Sequence, residues 1–158
     1  MASMVPVASR VNWAAVGLQM VVLLCLFLLV GFLGLHLMFA PVIYLTWSWG
    51  TKRWLARDHR RSIGLIKAGR FSEAIPHCEA SAAWFERHDL VDRHRALVML
   101  SSSAWSYREM ALANRAFCLG LSGRGPEAMR AYEEMLLEFP ESALAGPALT
   151  MMRAAQQT

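Results

Sequence analysis

Residues Leu65–Phe85 read LIKAGRFSEAIPHCEASAAWF, and residues Leu119–Phe139 read LGLSGRGPEAMRAYEEMLLEF. At an offset of 54, Gly69-Arg70 falls on Gly123-Arg124 and Glu73-Ala74 falls on Glu127-Ala128. Ile75 then meets Met129, Cys78 meets Tyr132, Ala82 meets Leu136 and Phe85 meets Phe139. The matched apolar positions recur at i, i+1, i+4, i+8 and i+11, one face of a helix. Each copy therefore predicts a helix that ends at a Gly turn, followed by a second helix with Glu in its first turn. In the second copy Gly125 is expected at the cap and Pro126 at the first helical position, where its missing N–H costs nothing. Pro140 stops that helix.

This pattern resembles the tetratricopeptide repeat family. Ala116, Gly123, Ala128, Tyr132 and Pro140 stand at the small, turn, small, aromatic and terminating positions of the 34-residue repeat. Small residues at 116 and 128 let two helices approach closely, and Tyr132 fills the groove between repeats. The first copy, about Leu55 to His88, is degenerate: it keeps Gly69, Phe71 and Ala74, but has Ser62 at a small position and lacks the final Pro. Abutting repeats would lie 34 apart, so the 54-residue offset leaves Asp89–Arg108 over. No Gly or Pro occurs from Asp89 to Leu119, which predicts one elongated helix through much of 90–122, or two helices broken near Ser101-Ser102-Ser103, extending the helical layer. Pro147 begins a last helix to about Gln156, whose Leu149 and Met152 cover the end of the array. The resemblance implies an all-α domain over residues 62–158, a short TPR-like right-handed helical solenoid of about five helices. An array of fewer than three full repeats is marginal, so partner binding, self-association or packing on the anchor helix is expected to compensate.

The other end of the chain is of a different kind. Of 158 residues 56% are hydrophobic and 18% charged, and the stretch from Val11 to Thr51 contains no Asp, Glu, Lys or Arg. This rules out a simple cytosolic enzyme and leaves only Lys52 to Thr158, too short a stretch for a large enzyme core. A bilayer core needs roughly 20 apolar residues in a helix. We expect a tail over 1–12, a transmembrane segment with interfacial extension over 13–50, and a basic juxtamembrane linker over 51–61. One tilted span from Trp13 to about Phe39 is favoured, with Pro41 starting or kinking the next segment. The alternative is two spans turning near Gly31–Leu35, but that stretch has no polar turn chemistry to satisfy its backbone. Tyr44, Trp47, Trp49 and Trp54 read as an aromatic belt at one interface, with Trp13 at the other. Lys52, Arg53, Arg57, Arg60 and Arg61 lie just after the segment and only Arg10 before it. The positive-inside rule puts the C-terminal domain in the cytoplasm, as at a bacterial inner (plasma) membrane. The same five residues are candidates for anionic headgroups, a better reading of the basic pI near 9.3 than nucleic acid.

Nothing in the sequence assembles a catalytic or metal constellation. There is no phosphate loop, no G-x-S-x-G and no H-E-x-x-H. Cys25, Cys78 and Cys118 form no C-x-x-C and read as buried free thiols. His59, His77, His88 and His94 sit in surface-like contexts, and adjacent His77 and Cys78 point too far apart to share one metal. No cofactor and no enzymatic activity is expected. In the resembled family, the first helix of each repeat lines a concave surface that receives a partner's peptide. The resemblance implies that Met110, Ala113, Asn114, Phe117 and Leu121 line that groove here. Asn114-Arg115-Ala116 is similar to the Asn-Arg-Ala of members that clamp a C-terminal carboxylate, and an amide suits that task. The expected function is a membrane-anchored protein-protein interaction module: an adaptor, assembly factor or accessory subunit of a membrane complex. The alternative is a structural small subunit whose transmembrane helix, through Gln19 and His36, makes the main contact.

Overall fold

The computed structural model describes residues 11–156; of the tail expected over 1–12, all but Val11 and Asn12 lies outside the described residues. Within that range every regular element is a helix. In chain order these are α1 (Trp13–Phe32), α2 (Phe39–Leu55), α3 (Arg57–Lys67), α4 (Phe71–Arg87) and the short α5 (Asp89–Arg93) and α6 (Arg95–Val98). Then come α7 (Tyr107–Leu121), α8 (Gly125–Glu138) and α9 (Ala145–Gln156). They divide into two compact units. One holds α3, α4, α7, α8 and α9; the other holds α1, α2 and residues 89–105.

The first unit is built around the two Gly turns. At the first, Gly69 takes φ 73°, the N–H of Arg70 donates to the carbonyl of Leu65 (2.9 Å), and that of Gly69 to Ile66 (3.0 Å). At the second, Gly123 takes φ 77°, Arg124 donates to Leu119 (3.0 Å) and Gly123 to Gly120 (3.2 Å). Both are the 6→1 plus 5→2 closure that ends a helix on a left-handed residue. Each turn hands over to a helix whose cap is the Arg, and in each the guanidinium forks onto the Glu three residues on. Arg124 reaches Glu127 at 2.8 and 2.6 Å, and Arg70 makes the same two contacts with Glu73. The 54-residue correspondence in sequence is thus a correspondence in backbone and side-chain geometry.

α4 packs on α7, α7 on α8 and α8 on α9. The core between them is made of small residues where helices come close (Ala74, Ala116 and Ala128, all 0% exposed) and larger ones between, chiefly Ile66, Leu119, Tyr132 and Met135. Leu149 and Met152 of α9 close the end of this core. α9 begins at Ala145, two residues before Pro147, which occupies its first turn. α8 begins at Gly125, so the cap is Arg124, and Pro126 stands one place later than the sequence implies.

Of the two arrangements expected over 90–122, the structure excludes the single long helix and has the break near Ser101-Ser102-Ser103. The chain forms two brief helical segments, breaks over residues 99–106 and enters α7 only at Tyr107. Leu100 adopts φ 47°, a left-handed conformation that costs a branched side chain energy and stays only where the surroundings hold it. Nor does the segment extend the helical layer, because it belongs to the other unit. The break is followed by an N-cap: Ser106 Oγ accepts from the N–H of Glu109 (3.0 Å), which fixes the start of α7.

In that second unit α1 is 20 residues of unbroken apolar helix, long and apolar enough to cross a membrane. It stops at Phe32, seven residues short of the expected Phe39. The reason is Gly34, at φ 67°: Leu35 donates to Val30 (3.0 Å) and Gly34 to Gly31 (3.0 Å), the same closure as at Gly69 and Gly123. The turn is closed by its own backbone. Pro41 lies in the first turn of α2, where its missing N–H breaks no helical bond. α2 folds back on α1, and Val30 and Ala40 are buried on either side of the turn. Residues 89–105 clasp this hairpin. Val11 and Ser103 form an isolated antiparallel bridge, the N–H of Asn12 donates to Ser102 (2.8 Å), and the Trp47 indole donates to Val98 (3.1 Å). Leu97 and Leu100 face Val22, Cys25 and Trp47 across an apolar cleft of about 420 Å³. The expected linker over 51–61 is helical too: α2 runs to Leu55, with Lys52 and Arg53 in its last turn where cations suit the helix dipole, and α3 starts at Arg57.

Candidate interaction site

The groove residues expected from the sequence all lie on α7, and the helix divides them. Ala113 is buried against the core, Met110, Asn114 and Phe117 are half-buried, and Leu121 is 53% exposed. Met110, Asn114, Phe117 and Leu121 follow a 4, 3, 4 spacing, so they share one face of the helix. Phe117 has a structural task as well, because its ring meets Phe71 of α4 edge-on at 6.0 Å. Arg115, between Asn114 and Ala116, points at α4 and pairs with Glu79 there at 2.8 Å. Of the Asn-Arg-Ala triplet, the Arg and the Ala are therefore used in holding helices together. The Asn114 side chain is partly open to solvent.

One end of the unit is an aromatic stack that sequence reasoning missed. Tyr107 of α7 lies parallel to Phe85 of α4 (5.0 Å, 14°) and receives His59 of α3 edge-on (5.1 Å, 84°). His59 is only 8% exposed, its Nδ1 is buried without a hydrogen-bond partner, and burial pushes its pKa down to about 4. It is a neutral core histidine, against the surface-like context of its neighbours Asp58 and Arg60. The signal was present: His59, Ser62 and Ile66 follow a 3, 4 spacing, and all three are buried. Of the other histidines, His77 Nδ1 lies 3.3 Å from Asp58 Oδ1, linking α4 to α3.

Glu109 and Ser142 form another hidden pair. Ser142 Oγ donates to Glu109 at 2.8 Å in the interior and accepts from the N–H of Ala145 (3.3 Å), joining the start of α7 to the start of α9. Cys78 of α4 and Cys118 of α7 are both fully buried. The neighbouring Cys78 and burial push the Cys118 thiol up, so it stays protonated. Cys25 is exposed on α1, contrary to its reading as a buried thiol. Burial likewise pushes the Tyr132 hydroxyl up to about 12. Among the described residues no group of three His, Cys, Asp or Glu side chains is placed to hold a metal ion.

The basic cluster is split between the units. Lys52, Arg53 and Arg57 belong with the hairpin, whereas Arg60 and Arg61 are exposed on α3. Lys52 Nζ bonds Ser48 Oγ (3.0 Å), and the Arg53 guanidinium lies 5.3 Å from the centre of the Trp49 ring. His36 sits exposed in the α1–α2 turn, and the Gln19 amide nitrogen is buried without a hydrogen-bond partner. No protein-family model matches the chain, and neither a curated protein nor a solved structure matches it.

Proposed function

We propose that this is a membrane-anchored, TPR-like protein-protein interaction module, an adaptor, assembly factor or accessory subunit that works by binding and not by catalysis. One observation carries the reading: two Gly-Arg-x-x-Glu-Ala turns with the same closure and the same ion-pair fork lie in one helical unit. With residues 89–105 set aside as part of the other unit, the offset between the two turns shrinks towards the 34-residue period of the tetratricopeptide repeat. On this reading the helices form a short right-handed solenoid, and the α7 face carrying Met110, Asn114 and Leu121 takes an extended segment of a membrane-associated protein. The apolar hairpin holds the module at the membrane, which raises the effective concentration of partners in the same plane. Lys52, Arg53, Arg57, Arg60 and Arg61 favour the cytoplasmic face, as at a bacterial inner membrane, and each adds about 1 kcal/mol of attraction to anionic headgroups when close to them.

The test is purification of the intact protein from native membranes in mild detergent, with mass spectrometry of what accompanies it. Asn114→Ala with Leu121→Ala is the informative variant, since Phe117 also supports the core through Phe71. Loss of a stoichiometric partner is the expected result. A partner that persists moves the contact away from α7 and to the apolar helices.

A further inference from the structure

The unit of α3, α4, α7, α8 and α9 uses most of its arginines internally. Arg70, Arg108, Arg115, Arg124 and Arg153 each pair with a carboxylate of that unit. Arg60 and Lys67 of α3 are exposed and, among the described residues, pair with none. Unpaired surface cations are common, so their position decides what they mean.

α3 and α7 lie side by side within this one unit. His59 meets Tyr107 edge-on at their starts (5.1 Å), and Phe71, just past the end of α3, meets Phe117 near the end of α7 (6.0 Å). Asp58 faces α4 instead, through His77 at 3.3 Å. Each residue turns ~100° about a helix axis, so Ile63, Lys67 and Arg60 lie ~40°, ~80° and ~100° beyond His59, on the side away from α4. Arg61 lies ~160° from His59, past Asp58 on the opposite flank. On α7, Arg115 and Arg108 reach α4 and α8. Tyr107, Met110, Asn114 and Leu121 follow a 3, 4, 7 spacing and share another face, the one that begins at the contact with His59. The two faces border one groove, with the Phe71–Phe117 contact at its far end.

Among the described residues, neither helix turns a carboxylate into this groove. Asp58 and Glu109 are the acidic residues of α3 and α7; the first turns to His77 and the second into the interior with Ser142. What remains is apolar (Ile63, Met110, Leu121), one amide (Asn114) and the two cations without partners. We propose that the groove between α3 and α7 binds an acidic segment of a partner protein, its carboxylates on Arg60 and Lys67 and its apolar side chains between Ile63 and Leu121. This rests on the reading of α7 as the binding face and adds the chemistry of what binds there. Opposite charge steers such a segment to the groove and disfavours basic ones. Arg60 thereby serves the groove, and Arg61 faces away from it.

The test uses the full chain in nanodiscs of phosphatidylcholine. The probe is a library of short random peptides displayed on phage, fused at their C-termini so that no terminal carboxylate is on offer. The expected result is enrichment of sequences that carry Asp or Glu among apolar residues. An enriched peptide, amidated and labelled with a fluorophore, loses ~10-fold in affinity on Arg60→Gln with Lys67→Gln, and binds more weakly as salt rises. Arg61→Gln, which removes the same charge from the opposite flank, changes it by less than ~2-fold. These side chains are exposed and hold no core contact, so the variants keep the parent's helical signal. Enrichment of neutral or basic sequences that still need Asn114 and Leu121 overturns the inference and leaves α7 as the binding face. No enrichment that depends on α7 overturns both. Equal losses on Arg60→Gln and Arg61→Gln overturn it in favour of attraction to net charge alone. Binding that disappears in discs of phosphatidylglycerol overturns it in favour of headgroups on the same cations.

Discussion

The turn at Gly34 and the turns at Gly69 and Gly123 share one backbone solution and differ in everything attached to it. In all three a glycine at positive φ closes a helix through paired 6→1 and 5→2 bonds. After Gly69 and Gly123 the next residue is Arg, forked onto a Glu; after Gly34 it is Leu, followed by His, Leu and Met. The closure itself needs only a residue without a Cβ, so it works in water and in hydrocarbon alike. The side chains around it declare which solvent the turn suits. A polar turn signature is thus a marker of exposure to water and not a requirement for turning.

The contrast can be tested from its supporting core outward. The largest effect is expected from Phe85→Ala, which removes a 1% exposed ring in contact with both Tyr107 and Trp84. It should cost about 3–5 kcal/mol, read as a fall in the thermal midpoint of the helical signal in detergent. Next is pH. His59 is neutral in the folded state and titrates at about 4, below its unfolded value of 6.5. The unfolded chain therefore takes up the proton first as pH falls. The stability that neutral His59 preserves is present above 6.5 and lost on the way down to about 4, on the order of 3 kcal/mol. Melting curves at neutral pH and near the folded-state pKa should show this loss in the parent and much less of it in His59→Phe.

Smaller effects address the turns directly. Gly34→Ala, Gly69→Ala and Gly123→Ala should each cost about 1–2 kcal/mol, because the left-handed conformation penalises a Cβ. Gly64→Ala, whose Cβ would meet nothing within 4 Å and whose φ is not positive, should be neutral or stabilising. If Gly34 tolerates alanine while Gly69 and Gly123 do not, the equivalence of the three turns is broken. Glu73→Gln and Glu127→Gln should have the smallest effect. Their carboxyls are held below the usual value by the hydrogen bond from the adjacent Arg. The small stabilisation is therefore present at neutral pH and lost as pH falls through the carboxylate range. It should also vanish in high salt, since both forks are exposed.

Much of the helical unit was legible because its signals are local. Apolar spacing placed α4 and α8, Gly69 and Gly123 placed the turns, and Pro140 placed the end of α8. The hairpin turn near Gly31–Leu35 was legible only as the less favoured alternative, because Gly34 lies in an apolar context and the turn closes through its own backbone. In the segment 89–105 the break near Ser101-Ser102-Ser103 was legible as an alternative, because absence of Gly and Pro allows a helix without requiring one, but its place in the other unit was not. Docking of Leu97 and Leu100 on the hairpin overrides that propensity, and Ser106-x-x-Glu109 was the legible mark of the true helix start. At the candidate site the spacing of Met110, Asn114, Phe117 and Leu121 implied a shared face. It gave no sign of the pairing of Arg115 with Glu79 or of Phe117 with Phe71, because both partners lie on another helix.

The position of residues 89–105 in the chain also sets a timetable. The hairpin is complete once Leu55 has been made, but its clasp ends only at Ser103. At ~5–20 residues per second of synthesis, the hairpin waits roughly 2–10 s with the Trp47 indole unbonded and one flank of α1 bare. α4, finished in the meantime, waits in turn for α7, which is made only after the clasp. Each unit stays unfinished until the ribosome delivers its last partner, and the hairpin receives its own first.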